Sequence, residues 1–295
     1  MINLAGIRYR NVFADRQGPI VRLDTTDFAI EGRRMFQANA YLRPELFPAR
    51  KRSVYSEASG SGTHESPMIA RYMAISESLE RWAYAATVRS DERATYAFDV
   101  DPMSNGMAAF PGLWAQQARR KAYLEAVERF SIIAWWEGML PAAVRPTEWA
   151  GVAAAVIWEA PGEVVVILHK RTAEGQHAYG HAAAETFTAA CRSAIVELAR
   201  HEYVIRTYHL AKACAVIEAP CDMLERRSVF FASEEGHEAY VRRLRSQPER
   251  PLPTRRLAFD GRLRGPWEKY AYVWRTVFYP VTDRYLSNCD SYFLW

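Results

Sequence analysis

ARYMAISESLERW runs from Ala70 to Trp82, and ARRKAYLEAVERF runs from Ala118 to Phe130. Laid over each other they share one frame, ARxxAxxExxER followed by an aromatic, 48 residues apart. A third stretch, ACRSAIVELARH from Ala190 to His201, keeps the two alanines and Glu197 but has Arg200 where the second glutamate stood. In the first copy Tyr72, Ile75, Leu79, Trp82 and Ala86 recur at helical spacing, and in the second Tyr123, Val127, Phe130 and Ala134 do the same. The spacing predicts one helix from about Met68, a second over the later copy, and a third over roughly Glu185 to Tyr208.

Working outward, the first 55 residues hold short strand-like runs such as PIVRLD, and the glycine-bearing stretch SGSGTHESP (Ser59–Pro67) reads as a loop opening the first helix. SNGMAAFPG (Ser104–Gly112) leads into the second. AAAVIWEAPGEVVVILHKR reads as two strands around a turn at Pro161 and Gly162. Beyond the third helix we expect a strand near AVIEA, a helix near HEAYVRRLRSQ, a hairpin turn at Asp260 and Gly261, and a strand in YAYVWRTVFYP. Strands and helices mix without strict βαβ alternation, so the class expected is α+β, helices packed on sheets. No Gly/Ser- or Pro-rich linker divides the 295 residues, which reads as a single domain, 1–295.

Composition narrows the function classes. With 49% hydrophobic and 24% charged residues the chain is an ordinary folded protein. It has no signal-peptide core and no 18-residue apolar run, so no membrane association and a cytoplasmic location are expected. Cys191, Cys214, Cys221 and Cys289 contain no CxxC pair and read as scattered reduced thiols. Between Tyr240 and Tyr270 nine Arg and Lys stand against three carboxylates. That run fits a solvated basic face or a docking surface for an acidic partner; without a recognition motif, nucleic acid is not expected. His177 and His181 flank a strand and read as structural.

On a helix, Glu77, Glu80 and Arg81 lie at i, i+3 and i+4, as do Glu125, Glu128 and Arg129. One reading is a solvated face carrying an internal ion pair. The other starts from the alanines on that same face, Ala70, Ala74, Ala118 and Ala122, which permit close approach of something. Four carboxylates brought together repel unless cations sit among them, and oxygen ligands suit Mg²⁺, which in turn binds nucleotide phosphates. A Walker loop, a GxSxG elbow and an HExxH string are all missing.

These residues resemble the YcaO family, ATP-dependent enzymes that activate backbone amides of peptides. GSGT (Gly60–Thr63) is similar to that family's glycine loop, ESLERW to its first ExxER helix, SNGMAAFPG with EAVERFSIIAWW to its second block, and HAYGHAAAETFTAACRSAIVEL to its third. YVWRTVFYP resembles a late strand of the family. Ser61 and Met73 stand where the family usually has lysine and serine.

The resemblance implies a YcaO-like fold of mixed sheets with three related helix motifs around a Mg-ATP site. It places Mg²⁺ on Glu77, Glu80, Glu125 and Glu128, and ATP beside Gly60, Ser61, Gly62, Arg81, Asn105, Gly106, Arg129, Arg192 and Glu197. Glu77, Glu125, Arg81 and Arg129 would carry catalysis: phosphorylation of an amide oxygen, leaving an azoline, thioamide or amidine. It implies a precursor peptide as substrate and allows a homodimer. No leader-binding domain is evident in the sequence, so a leader-binding partner protein is expected. A degenerate relative acting as a peptide-binding or scaffolding subunit is the alternative.

Overall fold

A computed structural model of the chain describes residues 3–13, 15, 17–47, 52–214 and 218–295. The fold is α+β, with three small antiparallel sheets and helices packed on them. The chain forms two compact units, and it passes from one to the other several times. The first comprises Met1–Arg50, Glu57–Ala126 and Arg255–Tyr279; the second comprises Lys51–Ser56, Val127–Thr254 and Pro280–Trp295. The strand expected near AVIEA spans 215–219, of which 215–217 lie outside the described residues and Glu218 and Ala219 are irregular.

In the first unit a short helix α1 (Ala5–Arg8) precedes β1 (Ile20–Ile30), β2 (Arg33–Leu42) and β3 (Gly60–His64), which form a meander. Glu31 and Gly32, both at positive φ, close the β1–β2 hairpin, as a two-residue turn matched to strand twist requires. SGSGTHESP is therefore largely strand and not loop. Helix α2 (Pro67–Thr87) follows at once, with Pro67 in its first turn, where a missing N–H costs nothing.

The glycines of β3 exist for that helix. A Cβ on Gly60 would lie 2.4 Å from Ala74 O and Ser78 N, and one on Gly62 would lie 2.2 Å from Ala70 O. Ala70, Ala74, Ile75, Ser78, Leu79, Ala83 and Thr87 form the buried face. The helix thus packs through small residues, and the something that Ala70 and Ala74 admit is the β3 backbone. Ser78 and Thr87 tolerate burial because their hydroxyls donate to Ala74 O (3.0 Å) and Ala83 O (2.7 Å).

A second sheet of this unit orders β4 (Met107–Phe110), β10 (Tyr272–Phe278) and β9 (Leu257–Leu263). The expected turn at Asp260 and Gly261 lies inside β9, with Asp260 paired to Thr276. The Asp260 carboxylate serves its neighbours, accepting from Trp274 Nε1 (2.6 Å), Thr276 Oγ1 (3.0 Å) and Arg119 Nε (2.9 Å), so it has no need of the local turn it would otherwise make. Ile20, Ala38, Leu79, Met107, Val273 and Trp267 belong to one core.

In the second unit β5 (Ala143–Pro146), β6 (Val152–Ala160), β7 (Glu163–Arg171) and β8 (His177–Ala184) form an antiparallel sheet in chain order. Gly162 at φ 76 makes the expected β6–β7 turn. Helix α4 (Phe187–Ala213) repeats the α2 arrangement: a Cβ on Gly180 of β8 would lie 2.2 Å from Ala194 O and Leu198 N. Gly60 and Gly180, Ser66 and Thr186 at the helix N-caps, and Ala74 and Ala194 each stand 120 residues apart. A three-stranded meander carrying a helix is therefore built twice.

Helices α5 (Met223–Ala232) and α6 (Glu234–Arg245) complete this unit. Arg227, fully buried, donates to the carbonyls of Ser287, Cys289 and Leu294, and Tyr292, Phe293 and Leu294 are buried. Helix α3 (Gln116–Trp136) begins in the first unit and ends in the second. Among the described residues no helix is long and apolar enough to cross a membrane.

Candidate functional site

In the first unit Glu77, Glu80 and Arg81 of α2 share an electrostatic neighbourhood with Glu125 and Lys121 of α3. Glu77 is held in place. Its Oε2 accepts from the Ser61 N–H (2.9 Å) and its Oε1 from Arg81 Nη2 (3.3 Å). The Ser61 hydroxyl donates to Asn39 Oδ1 (3.0 Å), Gln37 Nε2 donates to the same oxygen (3.1 Å), and Thr63 Oγ1 donates to Gln37 Oε1. Cross-strand pairing of Asn39 with Ser61 and Gln37 with Thr63 lines these groups up along the β2–β3 ladder. Ser61 thus holds Glu77 through its backbone N–H and ties that contact to the β2–β3 ladder through its hydroxyl.

Burial raises the Glu80 carboxyl well above its ordinary range, and the charges of Glu125 and Glu77 raise it further against the opposing pull of Arg81 and Lys121. Burial tends to depress Arg81, but Glu77, Glu80 and Glu125 together hold its guanidinium above its usual value. Arg81 Nε is buried and has no hydrogen-bond partner among the described residues. Three carboxylates therefore face two cations, with one donor to spare. They are not gathered on one point: among the described residues the one close set of three or more His, Cys, Asp or Glu ligand atoms lies elsewhere, on three histidines. Gly60 and Gly62 serve helix packing, as described. Gly106, at φ 70, brings its backbone against β10, where Thr276 N donates to Gly106 O (2.7 Å) and a Cβ would sit 2.1 Å from Thr276 O. Half-buried Asn105 precedes it on the turn into β4.

The second unit holds the other sequence-predicted residues. Glu128, one turn beyond Glu125 on α3, accepts at Oε1 from His181 Nδ1 (2.7 Å) and at Oε2 from the Ala183 N–H (2.9 Å). Burial works to depress His181, but the hydrogen bond and charge of Glu128, with Glu197 behind, raise it above its usual value. Arg129 is buried with its guanidinium 4.8 Å from the centre of the Tyr285 ring. Glu197 is exposed and paired with Arg200 Nη1 at 2.9 Å, and Arg192 is exposed on α4. The structure therefore brings Glu77, Glu80, Arg81 and Glu125 together and gives Glu128 a histidine partner.

Sequence reasoning missed Lys121, Asn39, Gln37 and Thr63. Alternation of polar residues in QAN and SGT was the available signal for the last three. Much of the basic run is consumed locally: Arg262 pairs with Glu268 (2.6 Å), Arg243 donates to Leu140 O (3.2 Å), Arg250 lies 3.8 Å from Glu137, and Arg255 packs on Phe278. No protein-family model matches the chain, and a search of curated proteins finds no match to it.

Proposed function

We propose that this chain is an ATP- and Mg²⁺-dependent enzyme of YcaO type that activates a backbone amide of a ribosomally made peptide. The observation that carries the reading is the gathering of Glu77, Glu80 and Glu125 around Arg81: burial first, and the charges of Glu125 and Glu77 second, raise the Glu80 carboxyl, and a divalent cation would relieve that charge crowding. The donor set is all oxygen, as Mg²⁺ prefers. Because Mg²⁺ is commonly held by one or two carboxylates with substrate phosphates and water completing the shell, a set that does not close on a single point suits it. Arg81, with its spare Nε–H, would meet phosphate oxygen.

In this proposal Glu77 and Glu80 of α2 and Glu125 of α3 hold the metal. The β2–β3 polar ladder fixes Glu77, so a ligand is oriented before ATP arrives. MgATP, when bound, would supply a phosphoryl group to the oxyanion formed as a nucleophile adds to the amide carbon, ADP leaving in that transfer and the former amide oxygen then departing as phosphate. The chain's own residues then position and neutralise charge. A precursor peptide is the substrate class, and a leader-binding protein is the proposed partner.

Calorimetric titration of ATP with and without Mg²⁺ tests the reading. Binding by the wild type should require Mg²⁺ and should disappear in Glu80→Gln, while the thermal midpoint without metal holds or rises as repulsion is removed. Magnesium-independent binding, or normal MgATP binding by Glu80→Gln, refutes the metal role and leaves the peptide-binding scaffold as the better reading.

A further inference from the structure

A group of histidines stands apart from the carboxylates. His169 lies on β7, His177 begins β8, and His237 sits in the first turn of α6, all within the second unit. His169 is paired directly with Tyr179, so His169, Tyr179 and, two residues earlier, His177 share one face of the β7–β8 hairpin. The α6 side is fixed as tightly. Ser233 caps the helix at Gly236 N, and a Cβ on Gly236 would meet Phe230 O at 2.1 Å, so the α5–α6 corner delivers His237 to one place.

The rings converge. His169 Nε2 and His177 Nδ1 are 3.0 Å apart, and one ring nitrogen from each of the three lies within 4.8 Å of the others. Neighbouring side chains hold two of the rings in place. His177 Nε2 is 3.2 Å from the Glu234 carboxylate, and His237 Nδ1 is 2.9 Å from the Tyr179 hydroxyl. That is the outer shell a metal-binding histidine uses to fix its tautomer and raise its basicity. Arg171, the nearby cation, is drawn toward Glu234 (3.9 Å).

The geometry points to a three-histidine site for a borderline-soft divalent ion, Zn²⁺ in the first instance, that joins α6 to the β7–β8 hairpin. Imidazole ligands favour zinc-like ions over Mg²⁺, which separates this site chemically from the carboxylates. The rings of His177 and His237 are stacked at 3.7 Å between centroids, 8° from parallel. Ligand nitrogens of tetrahedral zinc stand about 3.3 Å apart, given Zn–N bonds of ~2.0 Å. Binding would therefore tilt the stacked rings and draw ligand nitrogens that now lie within 4.8 Å of one another closer by up to about 1.5 Å, a side-chain adjustment. Three protein ligands leave a fourth position for water, and the half-buried His169 and His237 give it solvent access.

The test uses the full chain without a histidine tag, cleared of metal by a chelator. Titration with Zn²⁺ should saturate at one ion per chain and raise the thermal midpoint, and excess EDTA should reverse that rise. His237→Gln should weaken binding at least ~100-fold, and Glu234→Gln, at a side chain 64% exposed, about 10-fold or more without changing the metal-free midpoint. Co²⁺ should give the visible bands of a tetrahedral nitrogen–oxygen site with no thiolate charge-transfer band. Absence of saturable binding, equal affinity in wild type and Glu234→Gln, or a thiolate band from Cys191, Cys214, Cys221 or Cys289 overturns the proposal. Should His237→Gln fail to fold, the exposed Glu234 variant and the Co²⁺ spectrum still decide.

Discussion

Lowering the pH from 7.5 to 4.5 should remove about 3 kcal/mol of stability through His201 alone. This imidazole is buried on α4, where its Nδ1 accepts from the Tyr179 N–H (3.0 Å), its Nε2 meets Ser228 Oγ (2.8 Å), and its ring stacks on Trp295 with centroids 5.2 Å apart. Burial first, and the charge of His181 second, depress it from 6.5 to about 3. The unfolded chain therefore binds a proton below pH 6.5 that the folded chain refuses. Stability is complete above 6.5 and falls as pH drops toward 3, by ~1.4 kcal/mol per unit. Two units of that slope lie between pH 6.5 and 4.5, hence about 3 kcal/mol. His181, raised by Glu128, has the opposite sign: its contribution is present below 6.5 and is lost as pH rises through its folded value. The assay is urea unfolding across this range, with EDTA present, for wild type and His201→Gln, a substitution that keeps one acceptor and one donor. The wild type should lose about 3 kcal/mol more than the variant; parallel profiles would refute the buried, neutral assignment.

The other predictions concern the repeated unit and the Glu128 pair. Gly180→Ala should cost about 3 kcal/mol, at the upper end for overpacking, because the new methyl meets the α4 backbone at 2.2 Å and no side chain can yield; chemical denaturation reads it, and a neutral result would show that α4 sits farther from β8. Glu128→Gln should lower the pKa of His181, seen by NMR titration of its ring protons, since burial then acts without the carboxylate; an unchanged value would place the stabilising charge elsewhere.

Much of this architecture was legible where a pattern has one cause. The helix α2, the Pro161–Gly162 turn between β6 and β7, and the helix after Glu185 come from periodicity and turn chemistry alone, and all three stand, though only Ile75 and Leu79 of the expected α2 stripe are buried. What hid was whatever depended on partners distant in sequence. The buried face of α2 is rotated toward Ala70, Ala74, Ser78 and Ala83 because β3 offers glycines, a fact that no hydrophobicity pattern within the helix contains. Asp260 and Gly261 carry a turn signature, yet Trp274, Thr276 and Arg119 claim the carboxylate and hold the pair in a strand. At the candidate site the helical glutamates and Arg81 could be picked out from spacing. The ladder that aims Glu77, and the histidine that engages Glu128, come from strands whose register the sequence does not spell out.

The doubled meander-and-helix also supplies the molecule with its own reference copy. Across the 120-residue offset the glycine, a hydroxyl residue at the helix N-cap position, the two alanines and the isoleucine are retained: Gly60 and Gly180, Ser66 and Thr186, Ala70 and Ala190, Ala74 and Ala194, Ile75 and Ile195. Glu80 and Arg81, in contrast, become Arg200 and His201, and the second of these is turned into the interior as a structural imidazole. The glycine and the alanines that persist in both copies are demanded by the geometry of laying a helix on a strand; the positions of Glu80 and Arg81, which diverge, are free of that demand. By this internal comparison the alanines of ARxxAxxExxER are architectural grammar, and the Glu80–Arg81 pair is vocabulary, written into one copy for a purpose the other does not share.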